Sequence, residues 1–127
     1  MIFQYSWEAV LAKNKTQTRR IVAAKDSPIY TQGNHKTIKA VVANGRVKWK
    51  VGQTYAVQKG RAKSEIARIR ITRIRSEPVS EISSADAKAE GWATKQEFFD
   101  SWQEINGKNS LNHQVWALDF ELVKPSQ

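Results

Sequence analysis

The pattern of apolar and polar residues predicts that short β-strands form most of this chain. The clearest strand is EIARIRITRIR, at residues 65–75, where Ile69 and Ile71 fall on one face and arginines fall on the other. The next apolar residue is Ile74, so the alternation changes parity after Thr72. A one-residue β-bulge near Thr72 would return every apolar residue to a single core face.

Weaker patterns predict the remaining strands. Two β-type runs flank the pair Asn44-Gly45, which suits a type I′ turn, so residues 37–51 are predicted to form a hairpin. Residues 26–36 are rich in turn formers and are predicted to form a loop. Further strands are predicted at residues 1–5, 54–58 and 115–123, the last with one buried face.

Capping signals predict three short helices, at residues 6–13, 83–90 and 95–104. A serine can cap each of the first two, and the capping box TKQE opens the third. Helices and strands do not alternate as βαβ units along the chain. The order of elements therefore predicts an α+β protein, a small mixed β-barrel with flanking helices.

Composition limits the classes of partner and of chemistry. The 127 residues carry a net charge of +9, which favours a polyanionic partner, with nucleic acid first. The chain has no cysteine, and its two histidines lack the spacing of metal ligands, so we expect neither disulfides nor a metal site. The sequence shows no membrane-spanning stretch and no signal peptide, so we expect a cytoplasmic location without membrane contact.

The segment KTQTRR, at residues 15–20, concentrates three cations and two hydroxyls. It could be a solvated loop, a phosphate-binding loop, or a catalytic loop in which Lys15 deprotonates Thr18. Residues three positions apart share a face on a helix or turn, whereas they lie on opposite faces of a strand. The catalytic interpretation therefore predicts a turn-like or helical backbone at residues 15–18.

Six segments occur in an order that resembles one protein family. They are LAKNKTQTRR, VGQTYAVQKGR, IARIRITRIRSEPVSEI, DAKAEGW, EFFDSWQEING and VWALDFELV. Together they resemble the ASCH domain (activating-signal-cointegrator homology) family, whose fold is similar to the PUA domain of RNA-modifying enzymes. The resemblance runs from about Met1 to Val123 and implies a single PUA-like ASCH domain over residues 1–127.

The resemblance also implies a cleft and a chemistry. The family is generally linked to RNA, and one branch hydrolyses the amide of N(4)-acetylcytidine and similar acylated cytosines with a lysine, a threonine and a glutamate. In this sequence those positions are Lys15, Thr18 and Glu90, with Arg20 two residues after the threonine. The implied partner is an acylated cytosine nucleoside or RNA, and no cofactor is implied. Whether the protein is a monomer or a dimer stays open.

These residue types can supply the parts of a metal-free amide hydrolysis. Lys15 would act as the base, Thr18 as the nucleophile, and Glu90 as the acid or as a ligand for the pyrimidine edge. Arg19, Arg20 or a backbone N–H could hold the oxyanion. The opposing interpretation is structural, with the hydroxyls satisfying backbone groups and Glu90 paired with a lysine at a helix end.

Other residues suggest nucleic-acid binding. Arg61, Arg68 and Arg70 belong to a basic stretch that is either a phosphate track or the solvated face of a strand. Trp92 could stack a base. Two alternatives to the amidohydrolase therefore remain, a noncatalytic RNA-binding domain and a ribonuclease that uses the same basic cleft. A small closed pocket around Lys15 would suit a nucleoside, whereas an open groove through Arg68 and Arg70 would suit a strand.

Overall fold

An antiparallel β-sheet forms the centre of the protein. The computed structural model describes residues 1–125, without the side chains of His35, Lys124 and Pro125, and residues 126–127 of the predicted domain lie outside the described residues. The strands are β1 (Gln17–Ile21), β2 (Asp26–Thr31), β3 (Asn34–Ala43), β4 (Arg46–Lys50), β5 (Thr54–Gln58), β6 (Glu65–Pro78) and β7 (Gln114–Pro125). The helices are α1 (Trp7–Leu11), α2 (Ser84–Ala89) and α3 (Lys95–Asn106), with 3-10 turns at Val79–Glu81 and Ser110–Asn112.

The two longest strands, β6 and β7, organise the sheet. The strand order is β1-β7-β6-β3-β2, with β4 paired to β3 and β5 paired to β6. All of these pairings are antiparallel. Helix α1 precedes β1, and α2 and α3 lie between β6 and β7, so the described part of the chain contains no βαβ crossover between parallel strands. This arrangement confirms the predicted α+β class, a small barrel-like sheet with flanking helices.

The predicted bulge at Thr72 is present in β6. Ile71 pairs with Phe120 and Arg73 pairs with the adjacent Asp119, so Thr72 is an extra residue without a register partner in β7. Before the bulge Ile69 and Ile71 are buried, and after it the buried residue is Ile74, so the alternation resumes one residue later. The bulge keeps the apolar residues of β6 on one face, as the sequence pattern predicted.

The hairpin at residues 44–45 is also confirmed, because Asn44 and Gly45 both have positive φ, 54° and 75°. The loop predicted for residues 26–36 is wrong, since β2 and the start of β3 form a further hairpin there. Pro28 contributed to the loop prediction, but β2 lies at the edge of the sheet and pairs with β3 alone among the named strands. An edge strand tolerates proline because one side of its backbone needs no ladder hydrogen bonds.

The N-terminal residues form less β-structure than predicted. Of residues 1–5, Ile2 alone forms a bridge, in parallel with Gln58 at the end of β5. The carbonyl of Phe3 then accepts hydrogen bonds from the N–H groups of Ser6 and Trp7, at 3.1 and 2.8 Å. These bonds turn the chain into α1 after a single bridge, so a strand does not develop.

Side-chain caps begin α2 and α3 as the sequence predicts. The Oγ of Ser83 accepts from the N–H of Asp86 at 3.0 Å, and the Oγ1 of Thr94 accepts from the N–H of Glu97 at 3.1 Å. Each cap satisfies an N–H that the first helical turn leaves without a partner. The side chain of Ser6 makes no such bond to α1. None of the helices among the described residues is long and apolar enough to cross a membrane.

Strand β7 is buried on both faces over residues 115–118, where the sequence pattern predicted one buried face. Trp116 and Leu118 pack with the core of the sheet. Val115 packs on the other side in a separate cluster with Phe98 and Trp102 of α3. The prediction was wrong here because the helices cover the face that alternation alone assigns to solvent.

Candidate active site

Backbone hydrogen bonds fix the segment before β1 between α2 and β7. The N–H of Thr16 donates to the carbonyl of Ala89, the last residue of α2, at 2.7 Å. The carbonyl of Thr16 accepts from the N–H of Phe120, in β7, at 2.9 Å. Lys15, the preceding residue, is therefore held beside the C-terminal end of α2.

The chain leaves α2 through Gly91, the residue after Glu90. The φ of Gly91 is +98°, in the region that favours glycine. A Cβ built on Gly91 would lie 3.7 Å from the Cβ of Lys15, so the two segments are in van der Waals contact. The positive φ explains why a glycine is favoured after Glu90, because it allows the turn that places Glu90 next to Lys15.

Lys15 and Glu90 form a buried ion pair. The Nζ of Lys15 donates a hydrogen bond to Oε1 of Glu90, and each residue is 6% exposed. Glu90 is thus paired with a lysine at the end of a helix, which is the arrangement that the structural interpretation of the sequence predicted. Its burial sets it apart from an exposed pair, because removing either partner would leave the other charge buried without compensation.

The backbone around Thr18 differs from the catalytic prediction. Strand β1 begins at Gln17, so Thr18 is extended and pairs with Leu118 of β7. The prediction of a turn-like or helical backbone at residues 15–18 is therefore wrong from Gln17 onward. Five consecutive register pairs with β7 hold this segment as a strand. Lys15 lies before the strand, so the i, i+3 argument does not describe how the two residues are placed.

A cavity of about 400 Å³, the first cavity below, opens beside the ion pair. Thr18, Arg20 and Glu90 line it, while Lys15 does not line it and is linked to it through Glu90. Its mouth contains large apolar side chains that are partly or largely exposed: Ile2, Tyr5, Ile21, Trp92 and Ile105. A few polar groups within mainly apolar walls are typical of a small-molecule site.

Two polar groups in this cavity are not used by the fold. The hydroxyl of Thr18 makes no hydrogen bond within the part of the chain that the structure describes. The Oε2 atom of Glu90 is buried and has no hydrogen-bond partner there, and its closest cation is Nη1 of Arg19 at 3.6 Å. Buried polar atoms usually have partners, so an unpartnered carboxylate oxygen on a residue that lines a cavity is unusual within a fold.

The side chain of Arg19 is bound to other side chains of the protein. Its side chain is fully buried, and it forms ion pairs with Glu77, with Asp86 at 3.4 Å and with Glu90 at 3.6 Å. Its Nη1 also donates to the side-chain carbonyl of Gln17. The role of Arg19 in substrate binding stays a prediction, and its contacts suit a residue that holds Glu90 in place.

Asp86 extends this charge network on α2. Arg75 donates to its Oδ2 at 2.6 Å, and Gln17 donates to its Oδ1 at 3.2 Å. Burial alone would raise the pKa of the Asp86 carboxyl, but these hydrogen bonds and the charges of Arg75 and Arg19 lower it overall below its usual value. Asp86 is therefore held as a carboxylate, one turn before Glu90 on the same helix.

Arg20 lines the first cavity and is partly engaged with the N-terminal residues. Its Nη2 donates to the carbonyl of Ile2 at 2.8 Å, and its guanidinium lies 5.2 Å from the ring centroid of Phe3. Burial lowers the pKa of Arg20 while the charge of Glu90 acts in the opposite direction. Its buried Nε has no hydrogen-bond partner within the described residues.

The predicted arginine track lies away from the first cavity. Arg61 is exposed, Arg68 pairs with Glu65 at 2.7 Å, and Arg70 pairs with Glu121 at 3.2 Å. None of these three arginines lines the cavity that contains Thr18 and Glu90. Their predicted contact with substrate stays untested, and the solvated-face interpretation agrees with their exposure.

Sequence reasoning missed most of the charge network. It did not name Gln17, Glu77 or Asp86, which contact Arg19, and it assigned Arg75, which pairs with Asp86, only to the basic stretch. Asp86 lies four residues before Glu90, and that helical spacing was the available signal. Arg75 and Glu77 come from the far end of β6, so no local pattern links them to α2. Among the described residues, no group of three or more His, Asp or Glu side chains could hold a metal ion.

Comparison with protein-family models and with curated proteins finds no match. Among solved structures, a protein of Enterococcus faecalis V583 described as DUF984 is 19% identical, with a TM-score of 0.61, and the match covers 94% of this chain and 71% of that one. An ASCH domain from Lactobacillus crispatus JV V101 is 17% identical, with a TM-score of 0.56, and the match covers 92% of this chain and 69% of that one. At such identities the likeness is one of fold, and the chain has an ASCH-like fold, as the sequence predicted.

Proposed function

We propose that this protein is an amidohydrolase that removes the acyl group from N(4)-acylated cytosine or cytidine. One observation carries the proposal. Thr18, whose hydroxyl is unbonded, and Glu90, whose Oε2 atom has no hydrogen-bond partner, line the same cavity, and Glu90 is bound to Lys15. A nucleophile, a proton-transferring pair and a cavity of nucleoside size are the parts that this reaction needs.

In the proposed reaction, the Oγ1 of Thr18 attacks the carbonyl carbon of the acyl group. The hydroxyl proton passes to the Lys15–Glu90 pair, which acts as one unit because Lys15 reaches the cavity through Glu90. The C–N bond then breaks, the pair returns the proton to the departing amino group, and cytidine leaves. Water hydrolyses the resulting threonine ester, releasing the carboxylic acid and restoring the hydroxyl.

Other residues in the first cavity suit the remaining requirements. Arg20 lines the cavity, and its guanidinium could stabilise the oxyanion of the tetrahedral intermediate. Trp92 offers a partly exposed ring at the mouth, where it could stack on the pyrimidine. The cavity volume of about 400 Å³ lies within the range of roughly 300–1,000 Å³ that small-molecule pockets occupy.

RNA binding without chemistry is the second candidate, and the net charge of +9 favours it. Most of the exposed residues that line the first cavity are apolar, however, and Arg68 and Arg70 do not line it. A cavity of this kind suits a nucleoside better than a phosphate-bearing strand. The ribonuclease alternative is weaker as well, because a phosphorane needs several cations and Arg19, one of the two arginines that line this cavity, is already paired with carboxylates. A cytoplasmic location stays a prediction.

The test is hydrolysis of N(4)-acetylcytidine, followed through its ultraviolet absorbance. Thr18→Val keeps the β-branched shape of the strand residue and removes the nucleophile, so kcat should fall by at least about 100-fold. The matched control is Thr16→Val, which removes an exposed hydroxyl two residues away and should keep wild-type activity. Mass spectrometry of the quenched wild-type reaction should detect an added acetyl group on Thr18.

Two outcomes would contradict the proposal. Absence of turnover by wild type would reject the amidohydrolase, and RNA binding by the intact protein would then be the function to test. Wild-type activity in Thr18→Val would reject the threonine as nucleophile, leaving water activated by the Lys15–Glu90 pair as the attacking group.

A further inference from the structure

A second cavity, of about 170 Å³, lies where β3 and β6 meet. The two strands pair there through Ile38 and Ile74, which are both buried and form part of the cavity lining. Thr72, the extra residue of the bulge, also lines it. The cavity shares no lining residue with the first cavity, so it is a distinct site.

Several cationic side chains line the second cavity, and three of them have no ion-pair partner within the described residues. Lys36, Lys39 and Arg73 line it, and no acidic residue does. Across the part of the chain that the structure describes, none of these three forms an ion pair. Arg75 also lines the cavity but is bound to Asp86, at 2.6 Å, on the other side. Three free positive charges at one concave site favour an anionic ligand.

Hydroxyl donors accompany these cations. Thr37 lines the cavity, and its Oγ1 accepts from Nδ2 of Asn34 at 3.2 Å, which leaves its own hydrogen free to donate. The hydroxyl of Thr72 makes no hydrogen bond within the described residues. Lysine, arginine and threonine are among the side chains that donate hydrogen bonds to phosphate oxygens.

We propose that the second cavity binds a phosphate group of a nucleotide or of an RNA chain. Its volume is below the range of roughly 300–1,000 Å³ typical of whole small molecules, so it suits a single group rather than a complete ligand. Arg19, at the first cavity, is paired with carboxylates, whereas the three cations of the second cavity have no ion-pair partner among the described residues and are available for the phosphate. The inference does not depend on the amidohydrolase, because it concerns other residues and another ligand group.

Titration of the full chain with inorganic phosphate, at constant ionic strength and followed by amide NMR, tests the proposal. We expect saturable shifts confined to residues 36–39 and 72–75. The triple variant Lys36→Gln, Lys39→Gln, Arg73→Gln should weaken phosphate binding by about tenfold or more, since three charge contacts are lost. Raising the salt concentration should weaken wild-type binding in the same way.

The matched control is Arg46→Gln, Lys95→Gln, Lys108→Gln. It changes the net charge equally at exposed positions that line neither cavity, and it should keep wild-type phosphate binding. Equal weakening in both triple variants would overturn the proposal in favour of a general charge effect. Absence of saturable shifts in wild type would overturn it outright.

Two further ligands identify the source of the phosphate. Cytidine 5′-monophosphate should shift residues 36–39 and 72–75, and unphosphorylated cytidine should leave them unchanged. Tighter binding of the nucleotide than of inorganic phosphate would support a nucleotide or RNA source, whereas equal binding would overturn that part of the proposal. The cavity triple variant should hydrolyse N(4)-acetylcytidine like wild type, so failure of this proposal and failure of the proposed function are distinguishable.

Discussion

The two cavities differ in how their charges are balanced. Around the first, Lys15 and Arg19 are bound to carboxylates, and Arg20 donates to a backbone carbonyl. Around the second, Lys36 and Lys39, with Arg73, have no ion-pair partner within the described residues. Both regions are rich in cations by sequence, yet two of these three cations around the first cavity are paired with carboxylates and none of the three at the second is.

This difference shows why net charge is a poor guide to the position of a site. Buried cations must be paired, because an uncompensated charge in the interior is very costly, so the cations nearest a buried site are the ones already in use. The first cavity therefore suits a neutral ligand with hydrogen-bonding groups, even though the whole chain carries +9. The cations that give the chain its excess positive charge lie elsewhere on the surface.

Of the expected differences between the two cavities, the largest is in the free energy of unfolding. Lys15→Met would leave Glu90 as an unpaired buried carboxylate, and breaking a buried pair in this way costs about 3–5 kcal/mol. The matched variant in the second cavity, Lys39→Met, removes an exposed cation and should change the free energy of unfolding by less than about 0.5 kcal/mol. Urea unfolding measures both values.

A double variant separates charge from packing at the first cavity. Combining Lys15→Met with Glu90→Leu removes both charges, so much of the lost stability should return. Equal losses in Lys15→Met and Lys39→Met would contradict the difference in charge balance that we describe.

An intermediate effect is expected at the mouth of the first cavity. Trp92→Leu removes a ring that could stack on the pyrimidine, and stacking contributes about 1–3 kcal/mol per base, so KM for N(4)-acetylcytidine should rise by about tenfold. Steady-state kinetics would measure this change. Phosphate binding in the second cavity should be unaffected, and a fall in kcat at constant KM would argue against a binding role for Trp92.

The smallest expected effect is on acid stability and concerns Asp86. Its pKa is lower in the folded protein than in the unfolded chain, so its contribution to stability is present at neutral pH. That contribution is lost as the pH falls below about 3.9 and through the folded pKa. Urea unfolding between about pH 5 and pH 2 should therefore show a steeper loss for wild type than for Asp86→Asn, and parallel curves would contradict the assignment.

Local features of the fold were predictable because they depend on neighbouring residues. The bulge at Thr72 follows from a change of parity within one strand, and the turn at Asn44-Gly45 follows from two residues that tolerate positive φ. The caps at Ser83 and Thr94 likewise need only the first turn of each helix.

Features that depend on tertiary packing were not predictable in the same way. The edge position of β2 makes Pro28 acceptable, and the helices bury the second face of β7 at Val115. Neither fact can be obtained from the residues of those strands alone. The contact of Lys15 with Glu90 joins positions 75 residues apart. The resemblance to a family placed both residues in one cleft, and the structural interpretation paired Glu90 with a lysine without identifying which one.

The bulge at Thr72 has a consequence for β6 that resembles the effect of a frameshift on a coding sequence. One added residue reverses which face every later side chain occupies, without altering any of them. Without it, Arg73 and Arg75 would point into the core and Ile74 would point out. With it, one of these arginines joins the network around Asp86 and the other is free at the second cavity. The inserted residue thus changes which face of β6 each later side chain occupies, and therefore which contacts it makes, without changing the side chains themselves.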